Sequence, residues 1–259
     1  MRKFIVMVAA FIFFASFNAT AARANETSEW LDGSNFNKGI VSVIYKSDVA
    51  FKLKVEKGST LYTYRLKSNK KESFTLQSGS GKYTFSIIDE QDKTKVFAQK
   101  VVTVNIDNNR IAYLNSVQNI KWNKNDTAIL KATQLTKSQH DDIGKAKAIY
   151  NYIVNNMSYA SKETKTGYLP DIDDMITTKK GICYDFASLY AAMLRSVNIP
   201  AKLVMGFADD VSVYHSWNEV YLNGNWVIVD TSVDSQLEEL NVKFEFKKSA
   251  SKYNGIRFF

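Results

Sequence analysis

The 259-residue chain contains one cysteine and two histidines, and each of the three can be weighed individually. Cys183 stands in Gly181-Ile182-Cys183-Tyr184-Asp185-Phe186-Ala187. It opens a run in which Phe186, Ala187, Tyr190, Met193, Leu194 and Val197 recur at helical spacing. The thiol therefore falls at a helix N-terminus, where free N–H groups and the helix dipole stabilise an anion. A thiolate is the nucleophilic form, and the same N–H groups, that of Cys183 included, are positioned to donate to a developing oxyanion. Gly181 lets the chain turn sharply and substrate approach. The plain alternative is a buried inert thiol. Cysteine count alone favours that alternative; the neighbouring residues reverse the balance.

A nucleophilic thiol needs a proton acceptor. His140 lies in a polar stretch just before a helix and reads as an exposed or capping residue. His215, in Tyr214-His215-Ser216-Trp217-Asn218-Glu219-Val220, lies on a predicted strand and is the better base. Asn223-Gly224 predicts a two-residue hairpin loop, which sets Leu222 opposite Asn225. Counting back, Trp217 falls opposite Asp230 and His215 opposite Ser232. Asp230 is then the diagonal neighbour of His215 on one face, about 7–8 Å away between backbones. An acid there would hold the imidazole tautomer and stabilise imidazolium. A strand-end aspartate alone would read as a turn cap. With the histidine across from it, the reading as a third catalytic member prevails.

Flanking residues carry weaker assignments. Trp217 reads equally as a wall of the substrate channel or as packing. Asn218 and Glu219 are expected to stabilise the sheet, and Asp185 to cap the cysteine helix. Tyr159 and Tyr168 are candidates for a second oxyanion donor, and the sequence positions neither.

The elements that must carry these residues are legible from periodicity. From Ile40 to Ile106 apolar residues alternate with polar ones, as in Phe51, Leu53 and Val55 against Lys52, Lys54 and Glu56. Turn signals at Lys57-Gly58-Ser59, Ser68-Asn69-Lys70 and Ser78-Gly79-Ser80-Gly81 separate short strands, the pattern of a small antiparallel sandwich. A short helix is expected near Asp126 to Leu135. A longer one follows, capped by Asp141 or Asp142, with Ile143, Ala146, Tyr150, Ile153 and Met157 on one face. Residues 160–180 read as a polar loop. Its Asp171, Asp173 and Asp174 do not have the spacing of an EF-hand and are read as part of a solvated active-site loop. The cysteine helix ends at Asn198 and Pro200, and strands follow at about 201–207, 213–222 and 225–230.

Composition narrows the class. Arg2 and Lys3, the apolar run Phe4 to Phe17, and Ala22-Arg23-Ala24 have the order of a secretory signal cleaved after Ala24. Three basic residues fall within that segment, so the mature chain is less basic than the formal charge of +8. Mild basicity suits an anionic cell-wall surface, or solubility alone. A lone cysteine forms no intrachain disulfide, and a thiol exposed outside the cell needs a reason. No basic-aromatic cluster points to nucleic acid, no glycine-rich loop to nucleotides, and no Cys/His spacing to zinc. No cofactor and no metal are expected. No further apolar run is long enough to span a membrane.

Three blocks resemble the transglutaminase-like superfamily, relatives of papain-type thiol enzymes, in the family's order. They are Lys180 to Ala187, His215 to Val220, and Trp226-Val227-Ile228-Val229-Asp230-Thr231-Ser232. The helix ending Asn155-Asn156-Met157-Ser158-Tyr159 is similar to the family's approach to its core. The resemblance covers about residues 140–235. It implies an α+β fold in which the cysteine helix lies on an antiparallel sheet. It also implies Cys183 as nucleophile, His215 as general base and acid, and Asp230 as orienter. The expected organisation is a signal peptide at 1–24, a flexible start at 25–36, a β-sandwich-like domain at 37–107, a connector at 108–138 and the catalytic domain at 139–259. The expected chemistry is acyl transfer at an amide of a protein or peptide, with water or an amine as acceptor. The alternative is a cell-envelope binding or scaffold protein without turnover.

Overall fold

The computed structural model describes residues 30–160 and 164–259, and the expected signal peptide lies outside them. In the first part of the chain seven strands form two antiparallel sheets. Strands β1 (Leu31–Asp32), β2 (Ile40–Val43) and β5 (Glu72–Thr75) make one, in the order β1-β2-β5. Strands β3 (Phe51–Lys57), β4 (Thr60–Arg65), β6 (Gly81–Asp89) and β7 (Val96–Val104) make the other, in the order β4-β3-β6-β7. The alternation read from the sequence is the alternation of burial: Phe51, Leu53 and Val55 point inward while Lys52, Lys54 and Glu56 stay partly exposed. The sheets meet through aromatic rings. Phe74 of β5 lies 4.5 Å from Tyr64 of β4, and Tyr45 meets Phe51 at 5.5 Å, both between ring centroids. Burying one such ring stabilises the fold by about 1.5–3 kcal/mol.

The rest of the chain is α+β. Helices α1 (Thr127–Thr136), α2 (Asp142–Asn156), α3 (Ile172–Thr178), α4 (Cys183–Ser196) and α5 (Thr231–Glu239) accompany strands β8 (Ser158–Tyr159), β9 (Lys180–Gly181), β10 (Ala201–Ala208), β11 (Val211–Leu222), β12 (Asn225–Val229) and β13 (Tyr253–Phe258). The main sheet is antiparallel in the order β12-β11-β10-β13. Helix α4 lies against it and touches α1, α2, α3 and α5, so its residues from Asp185 to Arg195 are all buried. Its end matches the sequence signals: Asn198 takes φ +66° and Pro200 follows. Asp141 caps α2 by accepting from Gly144 N at 2.6 Å.

Four expectations need correction. Residues 25–36 are not a uniformly flexible start, because β1 lies within them, paired with β2, and Leu31 is buried. Residues 160–180 are not one loop: β8 pairs in parallel with β9, and α3 forms between them. Helix α3 is only seven residues long, too short to show a helical period in sequence. Two of the three acids there are caps. Asp171 accepts from the N–H groups of Asp173 and Asp174, and Asp173 accepts from those of Thr127 and Ala128 at the start of α1. Strand β12 stops at Val229, so His215 never faces Ser232 across a ladder; Ser232 is in α5. Finally, the C-terminal segment, to which sequence assigned no role, returns to the sheet. There β13 covers the edge of β10, and Phe259 is buried against Tyr62 and Tyr64 of the β-rich part.

Arg195 ties these parts together. Its buried guanidinium donates to the carbonyls of Ala201, Asn115 and Phe259 at 2.7–2.9 Å. Burial pulls its pKa down to about 9, a measure of how costly this cation is to enclose.

Candidate active site

Cys183 is the first residue of α4 and is half-buried. The preceding turn is shaped by Asp185, whose Oδ2 accepts from the N–H of Ile182 at 2.9 Å. Gly181 makes that possible: a Cβ there would lie 2.7 Å from the Cβ of Asp185. Asp185 is thus the cap of the cysteine helix and also accepts from the hydroxyl of Tyr168. Tyr168 is therefore held by the cap. Tyr159, on β8, is the tyrosine that contacts the thiol. Burial, then the Cys183 side chain beside it, pushes its hydroxyl pKa above the ordinary value.

His215 lies on β11 opposite Gly206 of β10 and is 4% exposed. Its Nε2 is 2.7 Å from Oδ2 of Asp230. The carboxylate only accepts, so Nε2 carries the hydrogen and Nδ1 is the nitrogen left for the thiol. Burial works against a charge on this ring. The hydrogen bond to Asp230 and the neighbouring Cys183 outweigh it and raise the imidazole pKa to about 9. The ring stacks on Trp217 with centroids 6.1 Å apart, so Trp217 is a fully buried support for the histidine.

Asp230 is fully buried and divides its two oxygens. Oδ1 accepts from Val233 N at 3.1 Å and Ser232 Oγ at 3.0 Å, capping α5. Oδ2 accepts from His215 and from the hydroxyl of Tyr253 at 3.1 Å. Capping and histidine contact, treated as competing readings of this residue, coexist because a carboxylate has two oxygens. The structure therefore brings Cys183, His215 and Asp230 together and leaves His140 apart and exposed.

Tyr253 escaped sequence analysis. It lies in β13, which adds to the far edge of the sheet, and its ring meets Trp217 at 5.0 Å. The aromatic-rich end of the chain was the only signal for it. Asn218 and Glu219 act as expected within the sheet. Asn218 Nδ2 donates to the carbonyls of Ala187 and Lys202, and Glu219 pairs with Lys202 at 2.7 Å. Among the described residues no group of three His, Cys, Asp or Glu side chains is arranged to hold a metal ion.

Residues 131–231, which include all three side chains of the site, match the family model of the transglutaminase-like superfamily. This stretch is what the chain shares with that superfamily. Among curated proteins, the kyphoscoliosis peptidase of Homo sapiens is 26% identical over 129 residues, 44% of this chain and 19% of that protein. The chain thus spans under a fifth of the length of that relative. Among solved structures, a candidate cysteine protease from Cytophaga hutchinsonii is 20% identical with a TM-score of 0.44, over 75% of this chain and 72% of that one. The periplasmic domain of TgpA from Pseudomonas aeruginosa is 16% identical with a TM-score of 0.41, over 77% and 70%. Among the described residues no helix is long and apolar enough to cross a membrane.

Proposed function

We propose that the chain is an exported thiol enzyme that transfers acyl groups from amide bonds of proteins or peptides. Cys183 is the nucleophile, His215 the general base and acid, and Asp230 the orienting acid. The observation that carries this reading is the buried His215–Asp230 pair at 2.7 Å, with Cys183 among the groups that raise the imidazole pKa. The Cys183 sulfur adds to the amide carbonyl carbon, and the C–N bond breaks as His215 gives its proton to the leaving amine. The resulting thioester is attacked by water or by an amine. That acceptor returns a proton to His215, and the thiol leaves. The backbone N–H groups at the start of α4 face the developing oxyanion, with the Tyr159 hydroxyl as second donor. Export rests on the pattern from Arg2 to Ala24. Protein recovered outside the cells should begin at Asn25; recovery with Met1 retained would remove that part of the reading.

The test of the triad is the alkylation rate of Cys183 by iodoacetamide against pH, in wild type and in His215→Ala. A free thiol is mostly protonated below about pH 8.5. Fast reaction at pH 6 that disappears in the variant is the expected result. Slow reaction at pH 6 in the folded wild type would overturn the enzyme reading in favour of a silent scaffold. Mass spectrometry with a glutamine peptide and a labelled amine then separates transfer to amine from hydrolysis.

A further inference from the structure

Beside the thiol's helix lies a cleft between the edge strand β4 of the β-rich part and the edge strand β13 of the main sheet. It contains a cavity of about 200 Å³ whose walls include Arg65, Leu66, Leu169, Met205 and Arg257. The cavity adjoins the site through three residues. Asn119 on its wall donates to the Tyr184 hydroxyl at 2.8 Å, Gly167 precedes Tyr168, and Met205 pairs with Ser216, the neighbour of His215. A second cavity of about 310 Å³ continues it, sharing Lys67, Glu72, Gln118 and Leu169 with the first and adding Lys70, Lys71 and Lys121.

The charge in this cleft is one-sided. Arg257 is half-buried with its guanidinium over the rings of Tyr62 and Phe259, at 5.4 and 5.7 Å, and it makes no ion pair with any described residue. Lys67, Lys70 and Lys121 likewise have no carboxylate partner among the described residues, whereas Arg65 is taken by Glu90 and Lys71 by Asp32. The two acids among the described wall residues are occupied internally. Glu72 accepts from Lys67 N and from Gln118 Nε2, and Asp171 caps α3. A cation held half-buried on aromatic faces with no carboxylate partner among the described residues lacks what usually accompanies such burial.

We propose that this cleft is a substrate subsite selecting acidic polypeptide, with Arg257 receiving a carboxylate near the reacting amide and Lys67, Lys70 and Lys121 receiving acidic residues farther along. The proposal rests on the thiol-enzyme reading for its orientation toward Cys183. A peptide fits better than an anionic polymer without side chains, because Leu66, Leu169 and Met205 give the same cavity apolar walls that alternating apolar and acidic residues would fill. The planar fork of an arginine suits a carboxylate, and the more exposed lysines supply long-range attraction.

The test is direct binding to the full chain carrying Cys183→Ala, so that turnover plays no part. The probes are a fluorescein-labelled peptide of alternating Glu and Leu, its Gln-and-Leu counterpart, and inorganic polyphosphate as competitor. The Glu peptide should bind about tenfold or more tighter than the Gln peptide, the equivalent of one charge-assisted contact, and added salt should erode the difference. Arg257→Met should abolish most of the preference and Arg257→Lys retain part of it. Lys67→Ser with Lys121→Ser, both at exposed positions, should lower affinity while leaving the melting temperature unchanged. Equal binding of the two peptides, an undiminished preference in folded Arg257→Met, or polyphosphate displacing the peptide at equal charge concentration would each overturn the proposal. In the chain with its thiol intact, the Glu peptide should also slow alkylation of Cys183. If it binds selectively while alkylation shows no dependence on His215, the triad reading fails and the subsite stands.

Discussion

The two parts of this molecule bury different things. Between β1 and β7 the interior is almost entirely apolar, built on Phe51, Leu53, Phe74, Tyr83, Phe85 and Ile87, and its few buried polar side chains are hydrogen-bonded except for the Thr75 hydroxyl. From α4 to α5 the interior also holds Arg195, His215, Asn218, Asp230, Asp234 and Ser235; His215 and Asp230 bond to each other, and the others to backbone carbonyls or to side chains outside this group. Asp234, for instance, accepts from Tyr150 at 2.7 Å. An apolar interior tolerates substitution in proportion to volume lost, whereas a buried polar network fails when one partner is removed. Damage to the first part should therefore register as stability, and damage to the second as reactivity at the thiol.

The largest effect that would break this division is expected from Asp230→Asn. Asparagine still caps α5, but the negative charge beside His215 is lost. Alkylation of Cys183 at pH 6 should fall by up to about 300-fold, the ratio between a full thiolate and the thiolate fraction of a free thiol of pKa about 8.5. Circular dichroism should show α5 intact, and an unchanged alkylation rate would reduce Asp230 to a cap.

Phe85→Ala is the converse change, in the β-rich part. It should cost about 3–5 kcal/mol of stability by cavity formation, read from denaturant midpoints, with the alkylation pH profile unmoved. A shifted profile would show that the two parts are not separable in this way.

His215 supplies a pH test. Its folded pKa is raised from 6.5 to about 9, so the stability it contributes is fully present below pH 6.5 and lost as pH rises through about 9. Measured against His215→Gln, the excess stability of the wild type should shrink across that window; constancy from pH 6 to 10 would contradict the imidazolium pairing.

The smallest effect is expected from Tyr253→Phe. Removing one hydroxyl from Asp230 Oδ2 should cost about 0.5–1.5 kcal/mol, and its distinguishing mark is a displaced alkylation pH profile. Loss of stability with no displacement would make Tyr253 a packing residue only.

Local pattern was enough for much of this molecule. Alternation marked β3, β4 and β6, helical spacing marked α2 and α4, and Asn223-Gly224 marked the hairpin and its register, with Leu222 opposite Asn225. These features depend on neighbours within a few residues of one another. The same counting led from the hairpin to Asp230, although there the ladder had already ended and a helix cap began.

Residue order alone carried the short-range physics: which faces are apolar, where the longer helices start and stop, and that the lone thiol opens a helix. The return of β13 to the edge of β10 was settled by long-range packing. That return sets Tyr253 on Asp230 and opens a cleft between Arg257 and the β-rich part. Strand-edge pairing depends on hydrogen bonds between backbones far apart in the chain, and backbone groups are alike at every residue. No side-chain pattern in residues 253–259 names its partner strand. The choice is made when the fold leaves one edge of the sheet uncovered and an aromatic chain end long enough to reach it.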